Sequence, residues 1–124
     1  MKKVKFYKCN ECERVKCVVQ GKDGEELECC GKKMEELIPN TVEAATEKHI
    51  PVYEIDGKVI KVKVGDVLHP MTKEHHIKWI ACVGEKNVDF RKLELSEKPK
   101  AEFQKENEFE IYAYCNQHGL WKTN

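Results

Sequence analysis

Apolar residues recur at alternate positions in short runs along the chain, and Gly, Pro, Asn and Asp separate the runs. Alternation with a period of two is the mark of half-buried β-strands. The pattern predicts strands over residues 4–7, 15–19, 52–55, 59–64, 77–83, 88–95 and 109–114. Residues 21–24 should reverse the chain before Leu27, and residues 84–87 and the Pro99 region read as breaks. Asp56-Gly57 lies between two alternating runs and signals a hairpin, because Asp-Gly readily adopts the positive φ angles of a type I′ turn. Several short strands with frequent turns argue for an all-β sandwich or barrel.

Composition divides this pattern in two. Most of the seven cysteines fall within the first 30 residues, whereas all five histidines lie at position 49 or beyond. The aperiodic stretch Pro-Asn-Thr-Val-Glu-Ala-Ala over residues 39–45 reads as a connector, so the domains are placed at 1–37 and 38–124. A domain of about 37 residues is below the size that a hydrophobic core alone usually holds, and a metal or an oligomer must help it.

Charge narrows the partners. The 22 basic and 22 acidic residues cancel, so no global field concentrates nucleic acid or anionic lipid. Lysines interrupt the apolar residues at the N-terminus, and no apolar run approaches the roughly 20 residues that span a bilayer. Neither nucleic acid nor membrane is expected as a partner. An odd cysteine count without an export signal favours reduced thiolates in a cytoplasm over a disulfide framework.

Cys9-Asn-Glu-Cys12 and Cys29-Cys30 supply two pairs of thiolates, the number a tetrahedral iron or zinc centre needs. Neighbouring Cα atoms are about 3.8 Å apart, too close for a relaxed disulfide, so a shared metal is the easier use for Cys29 and Cys30. A structural zinc knuckle remains the alternative to iron. Cys17 and Cys82 read as small apolar core residues.

The histidines fall in Glu47-Lys48-His49-Ile50-Pro51, His69-Pro70-Met71 and His75-His76-Ile77-Lys78-Trp79, and the last shares a segment with a cysteine in Cys115-Asn116-Gln117-His118. Proline disfavours helical backbone at the residue before it, so His69 should be extended and His49 should stand at a strand entrance. If a strand begins at His75, that side chain shares a face with Ile77 and Trp79 while His76 shares one with Lys78, which makes His75 the inward ligand. Phe109, Ile111, Ala113 and Cys115 form one face of the last strand, so Cys115 should also point inward. Imidazoles with one thiolate suit iron, copper or zinc. Zinc normally takes four ligands, whereas five fit an octahedral ion with one open position.

In chain order, Cys-x-x-Cys, Cys-Cys, Glu-Lys-His-x-Pro, His-Pro-Met, His-x-Ile-x-Trp-Ile and Cys-Asn-x-His-Gly-x-Trp-Lys resemble desulfoferrodoxin, the two-iron class of superoxide reductases, across nearly the whole chain. The resemblance implies a desulforedoxin-like domain with iron on Cys9, Cys12, Cys29 and Cys30, followed by an immunoglobulin-like β-sandwich carrying the catalytic iron. It implies His49, His69, His75 and His118 as equatorial ligands, the last through Nδ1 and the others through Nε2, with Cys115 axial. Superoxide would be reduced by one electron to hydrogen peroxide, Lys48 would draw the anion in, and Glu47 would occupy the sixth position after oxidation. A rubredoxin-like or other electron donor, a homodimer and a cytoplasmic setting are implied as well. At position 76 the family often has tryptophan where this chain has His76.

Overall fold

The computed structural model describes residues 4–22, 24 and 26–123. The chain divides into two compact units between Ile38 and Pro39, one residue beyond the division placed from composition.

The first unit is built from β1 (Lys5–Lys8), β2 (Val15–Val18), β3 (Glu28–Cys29), β4 (Lys32–Lys33) and β5 (Glu35–Leu37). β1 is central in an antiparallel sheet of order β2-β1-β5, and β3 and β4 form a separate hairpin. The last three strands carry too few apolar residues to show alternation, and their sequences give no strand signal. Part of the turn expected over 21–24, residue 23, lies outside the described residues. Phe6 and Met34 are its large fully buried side chains, and Met34 packs with Cys9 and Cys29 and the partly buried Tyr7 and Leu27. The sulfurs are therefore part of this unit's core.

The second unit contains a helical turn α1 (Thr46–His49) and the strands β6 (Pro51–Asp56), β7 (Val59–Val64), β8 (Ile77–Gly84), β9 (Val88–Lys92), β10 (Lys100–Gln104), β11 (Phe109–Cys115) and β12 (Gly119–Lys122). They form a three-stranded sheet β10-β7-β6 and a four-stranded sheet β12-β11-β8-β9, all antiparallel. Inward residues of both sheets make one core: Ile60, Val62 and Val64 from β7, Ala101 and Phe103 from β10, Ile77, Ile80 and Cys82 from β8, and Ile111, Ala113 and Cys115 from β11. Each fully buried Ile or Val contributes roughly 1.5–3 kcal/mol, and this set makes the sandwich a stable platform for its loops. The unit is an immunoglobulin-like sandwich.

The structure departs from the local sequence pattern in five places. The β6–β7 turn is centred on Gly57-Lys58, because Asp56 pairs with Val59; only Gly57 (φ 61) has positive φ, the signature of type II′ rather than type I′. β8 begins at Ile77, so His75 precedes the strand in a bend. A register shift between Tyr114 and Cys115, opposite Trp79 and Ile77, breaks the alternation there. Ile77 joins the core, while Trp79 stacks on Tyr114 with centroids 5.4 Å apart. β10 was hidden by its two core residues, one of them only Ala101, following a proline break. β9 ends at Lys92, three residues earlier than the alternation suggests.

Candidate metal centres

The four-cysteine cluster hangs on two tight turns. Cys9 ends β1's run, and its N–H donates to the Arg14 carbonyl at 2.8 Å while Glu13 N–H donates back to the Cys9 carbonyl at 2.9 Å, closing a loop that presents Cys9 and Cys12 together. Glu13 takes a left-handed φ of 64 to make that loop. Cys30 (φ 54) and Gly31 (φ 73) are the two central residues of the β3–β4 turn, so here both positive φ angles of a type I′ turn are met. The ligand atoms of Cys9, Cys12, Cys29 and Cys30 lie within 4.8 Å of one another, with Cys12 Sγ to Cys29 Sγ at 3.7 Å and Cys29 Sγ to Cys30 Sγ at 4.0 Å. Sulfurs about 2.3 Å from a common ion sit at such separations in a tetrahedron. Backbone hydrogen bonding around Cys12 brings the Cys9 thiol down to about 6, while sharing a proton with Cys12 first and Cys9 and Cys29 next pushes Cys30 up to about 12.

The second cluster gathers loops at one end of the sandwich. His49 ends α1, His69 follows β7, His75 precedes β8, Cys115 ends β11 and His118 lies in the β11–β12 turn. The position of α1 is set by Gly65: a Cβ there would stand 2.6 Å from the Glu47 carbonyl oxygen and 2.9 Å from that of Ile50. Val67 N–H also donates to the Glu47 carbonyl at 2.9 Å. Ile50 is extended (φ −71, ψ 117), as the residue before Pro51 should be, and this stops the helical turn at His49.

Imidazole centroids form a closed ring, 49–69 at 4.5 Å, 69–75 at 4.4 Å, 75–118 at 5.0 Å and 118–49 at 4.9 Å, with the His49–His75 diagonal at 5.8 Å. Neighbouring rings are nearly perpendicular, at 77° to 85°, whereas the diagonal pair is tilted by only 32°. His49 and His69 tie their Nδ1 atoms to the carbonyls of Ala45 (2.8 Å) and Pro70 (2.7 Å), which leaves Nε2 free to face inward. His118 turns Nδ1 toward His49 Nε2, 3.2 Å away. His69 Nε2 lies 3.1 Å from His49 Nε2 and 3.5 Å from Cys115 Sγ, and the donor atoms of His49, His75, Cys115 and His118 lie within 4.8 Å of one another. Among the described residues His75 Nε2 is a buried side-chain nitrogen with no hydrogen-bond partner. Like dipoles do not converge on one point without something to hold them there, and an ion at that point would satisfy the orphaned nitrogen. The donor set fits iron.

Electrostatics keep these donors ready. Burial lowers His69 to about 4 and, as the leading cause, also lowers His49 and His75; the Lys48 charge pushes the latter two the same way. Neutral imidazole is the ligating form. Burial raises the Cys115 thiol, and the backbone N–H groups of His118 and Gln117 partly offset this by facing its sulfur.

A sequence model of the desulfoferrodoxin family matches residues 41–124. A desulfoferrodoxin of Syntrophotalea carbinolica is 43% identical over 122 residues, covering 98% of this chain and 96% of the relative. The chain belongs to the desulfoferrodoxin family. The crystal structure of the superoxide reductase from Treponema pallidum superposes with a TM-score of 0.80 at 30% identity, covering 98% of each chain. A superoxide reductase of Thermococcus kodakarensis is 38% identical over 97 residues, covering 62% of this chain and 84% of the relative.

Glu47 and Lys48 are exposed on α1 beside His49. Cys82 is buried in the sandwich core, where burial takes its thiol to about 11, and Cys17 is half-buried on β2; neither approaches a cluster. His76 gives its Nδ1 to the Thr72 carbonyl at 2.9 Å. Two supporting residues carry no sequence signal of their own, although both lie inside the motifs that resemble the family. Asn116 clamps the segment around His75: its Oδ1 accepts from His76 N–H (2.9 Å), its N–H donates to the His76 carbonyl (3.1 Å) and its Nδ2 donates to the Glu74 carbonyl (3.0 Å). Trp121, fully buried, lies against His49 and donates its Nε1–H to the His118 carbonyl.

Proposed function

We propose that this chain is a superoxide reductase, passing one electron to superoxide at ferrous iron held by His49, His69, His75, His118 and Cys115, with hydrogen peroxide as product after two protons are taken up. The closed ring of four imidazoles with a buried thiolate against it carries this reading. When bound, ferrous iron would supply the single electron, and the Cys115 thiolate among its ligands would raise its tendency to give that electron up. His75 and His118 are half-buried whereas Cys115 is fully buried, so a small anion from solvent can reach the imidazoles and not the sulfur.

Lys48 attracts the anion. The chain's formal net charge is zero, so the pull must be local, and the Lys48 charge already acts on His49 and His75. Glu47, its exposed neighbour, is the carboxylate available to close over the site between turnovers. The cluster of Cys9, Cys12, Cys29 and Cys30 holds the second iron, for electron transfer or structure. A rubredoxin-like or other one-electron donor supplies the reducing equivalents. Edge strands β6 and β10 in one sheet and β9 and β12 in the other offer backbone for pairing two copies into a homodimer. The unpaired thiolates suit a cytoplasmic setting.

Mixing the reduced, iron-loaded protein with a superoxide pulse tests the proposal. Superoxide should vanish with saturable dependence on protein, Cys115→Ser should abolish turnover, and Lys48→Ala should slow the encounter and weaken its dependence on salt. Sustained turnover by Cys115→Ser would contradict the reading.

A further inference from the structure

We propose that Arg14 tunes the four-cysteine centre, favouring its reduced form and raising its reduction potential through a charged hydrogen bond to the Cys29 sulfur. The inference rests on the reading above that this site holds iron. Arg14 Nη1 donates to Cys29 Sγ at 3.4 Å.

The placement is built by the backbone. Cys9 and Arg14 are tied by the N–H to carbonyl bond of 2.8 Å, and Glu13 turns through the left-handed region between them, so residue 14 leaves the loop beside the sulfurs just before β2 starts at Val15. Cys29 itself is buried, and the exposed Arg14 meets its sulfur from the solvent side. A guanidinium stays charged at any physiological pH, and hydrogen bonds to charged partners are about twice as strong as neutral ones.

Charge decides the direction. Ferric iron with four thiolates carries a net charge of −1, and one electron from a reductant takes it to −2 with no bond broken and no proton required. A fixed cation in contact with one sulfur stabilises the more negative state by more. Net charge and hydrogen bonds to sulfur are among the factors that set such potentials. The centre would then accept an electron from a weaker donor and hold it more firmly.

Spectroelectrochemical titration of the full-length, iron-loaded protein tests this, with the histidine-ligated centre as internal reference and metal analysis done first. Arg14→Gln, which keeps bulk and loses charge, should shift the four-cysteine centre to a more negative potential and leave the other centre in place. Arg14→Lys should retain part of the wild-type value, and the difference between wild type and Arg14→Gln should shrink as salt rises. An unmoved potential in iron-bearing Arg14→Gln, or an equal shift of both centres, would overturn the proposal while leaving the iron reading intact. Absence of iron from the wild-type site would sink both. Should Arg14→Gln fail to retain iron, the wild-type salt titration decides: a potential that falls with ionic strength relative to the reference supports the charge, and a flat one refutes it.

Discussion

Trp121 lies over His49 with ring centroids 4.8 Å apart and a tilt of 30°, while its Nε1–H donates at 3.1 Å to the carbonyl of His118, so one buried side chain fixes two members of the imidazole ring. Partners that orient ligands in this way are commonly worth about 10–100-fold in metal affinity. Trp121→Phe keeps the aromatic contact and removes the donor. It should loosen iron in the histidine-ligated centre by about 10-fold in chelator competition, and iron in the four-cysteine centre should be unaffected.

Gly65 has no room for a side chain, since a Cβ would collide with the backbone of α1. Gly65→Ala must push the Glu47–Ile50 segment away, and overpacking of this kind costs about 1–3 kcal/mol. Both tryptophans of the chain, Trp79 and Trp121, lie in the second unit. Denaturation followed by tryptophan fluorescence should therefore show an earlier midpoint, and iron in that unit should fall.

Asn116 stands between Cys115 and His118 and grips the chain on both sides of His75. Asn116→Ala removes its two side-chain hydrogen bonds, each worth about 1 kcal/mol. The ferric thiolate absorption of the second centre should broaden and its iron dissociate faster. Asn116→Asp, which keeps the acceptor for His76 N–H, should fall between the variant and wild type.

Acid should weaken the metal-free second unit in a defined window. His69 titrates near 4 in the fold but at its ordinary 6.5 when unfolded, and His49 and His75 are lowered in the same sense. Between those values the unfolded chain takes up protons that the folded chain refuses, so stability is complete above about pH 6.5 and is lost as the pH falls toward about 4. Urea midpoints read by tryptophan fluorescence should decline over that range, and His69→Leu should flatten the decline.

Motif spacing made the candidate donors legible because each pair or single donor sits at a local turn whose geometry is written in two to five neighbouring residues: Cys9 with Cys12, Cys30 with Gly31, His69 with Pro70, Cys115 with His118. The core face of β11 was legible for the same reason, since Ile111, Ala113 and Cys115 alternate without interruption. Alternation failed at Ile77 and Trp79, where a bulge reverses the faces and where His75 is held by Thr72, and its neighbours Glu74 and His76 by Asn116, rather than by a strand. Strand β12 was missed because Leu120 and Trp121 are adjacent and both buried, a pattern with no period. The roles of Gly65 and Trp121 arise from contacts across 18 and 72 residues of chain, from Glu47 to Gly65 and from His49 to Trp121, which no local pattern encodes.

Hydrogen peroxide yield per superoxide consumed, measured with the iron-loaded protein under continuous supply of a one-electron reductant, tests the central claim most directly. Reduction at the imidazole-ringed centre predicts one peroxide for each superoxide, with one electron drawn from the reductant. A yield of one peroxide for every two superoxides, with the reductant untouched, would mean dismutation and would contradict the account.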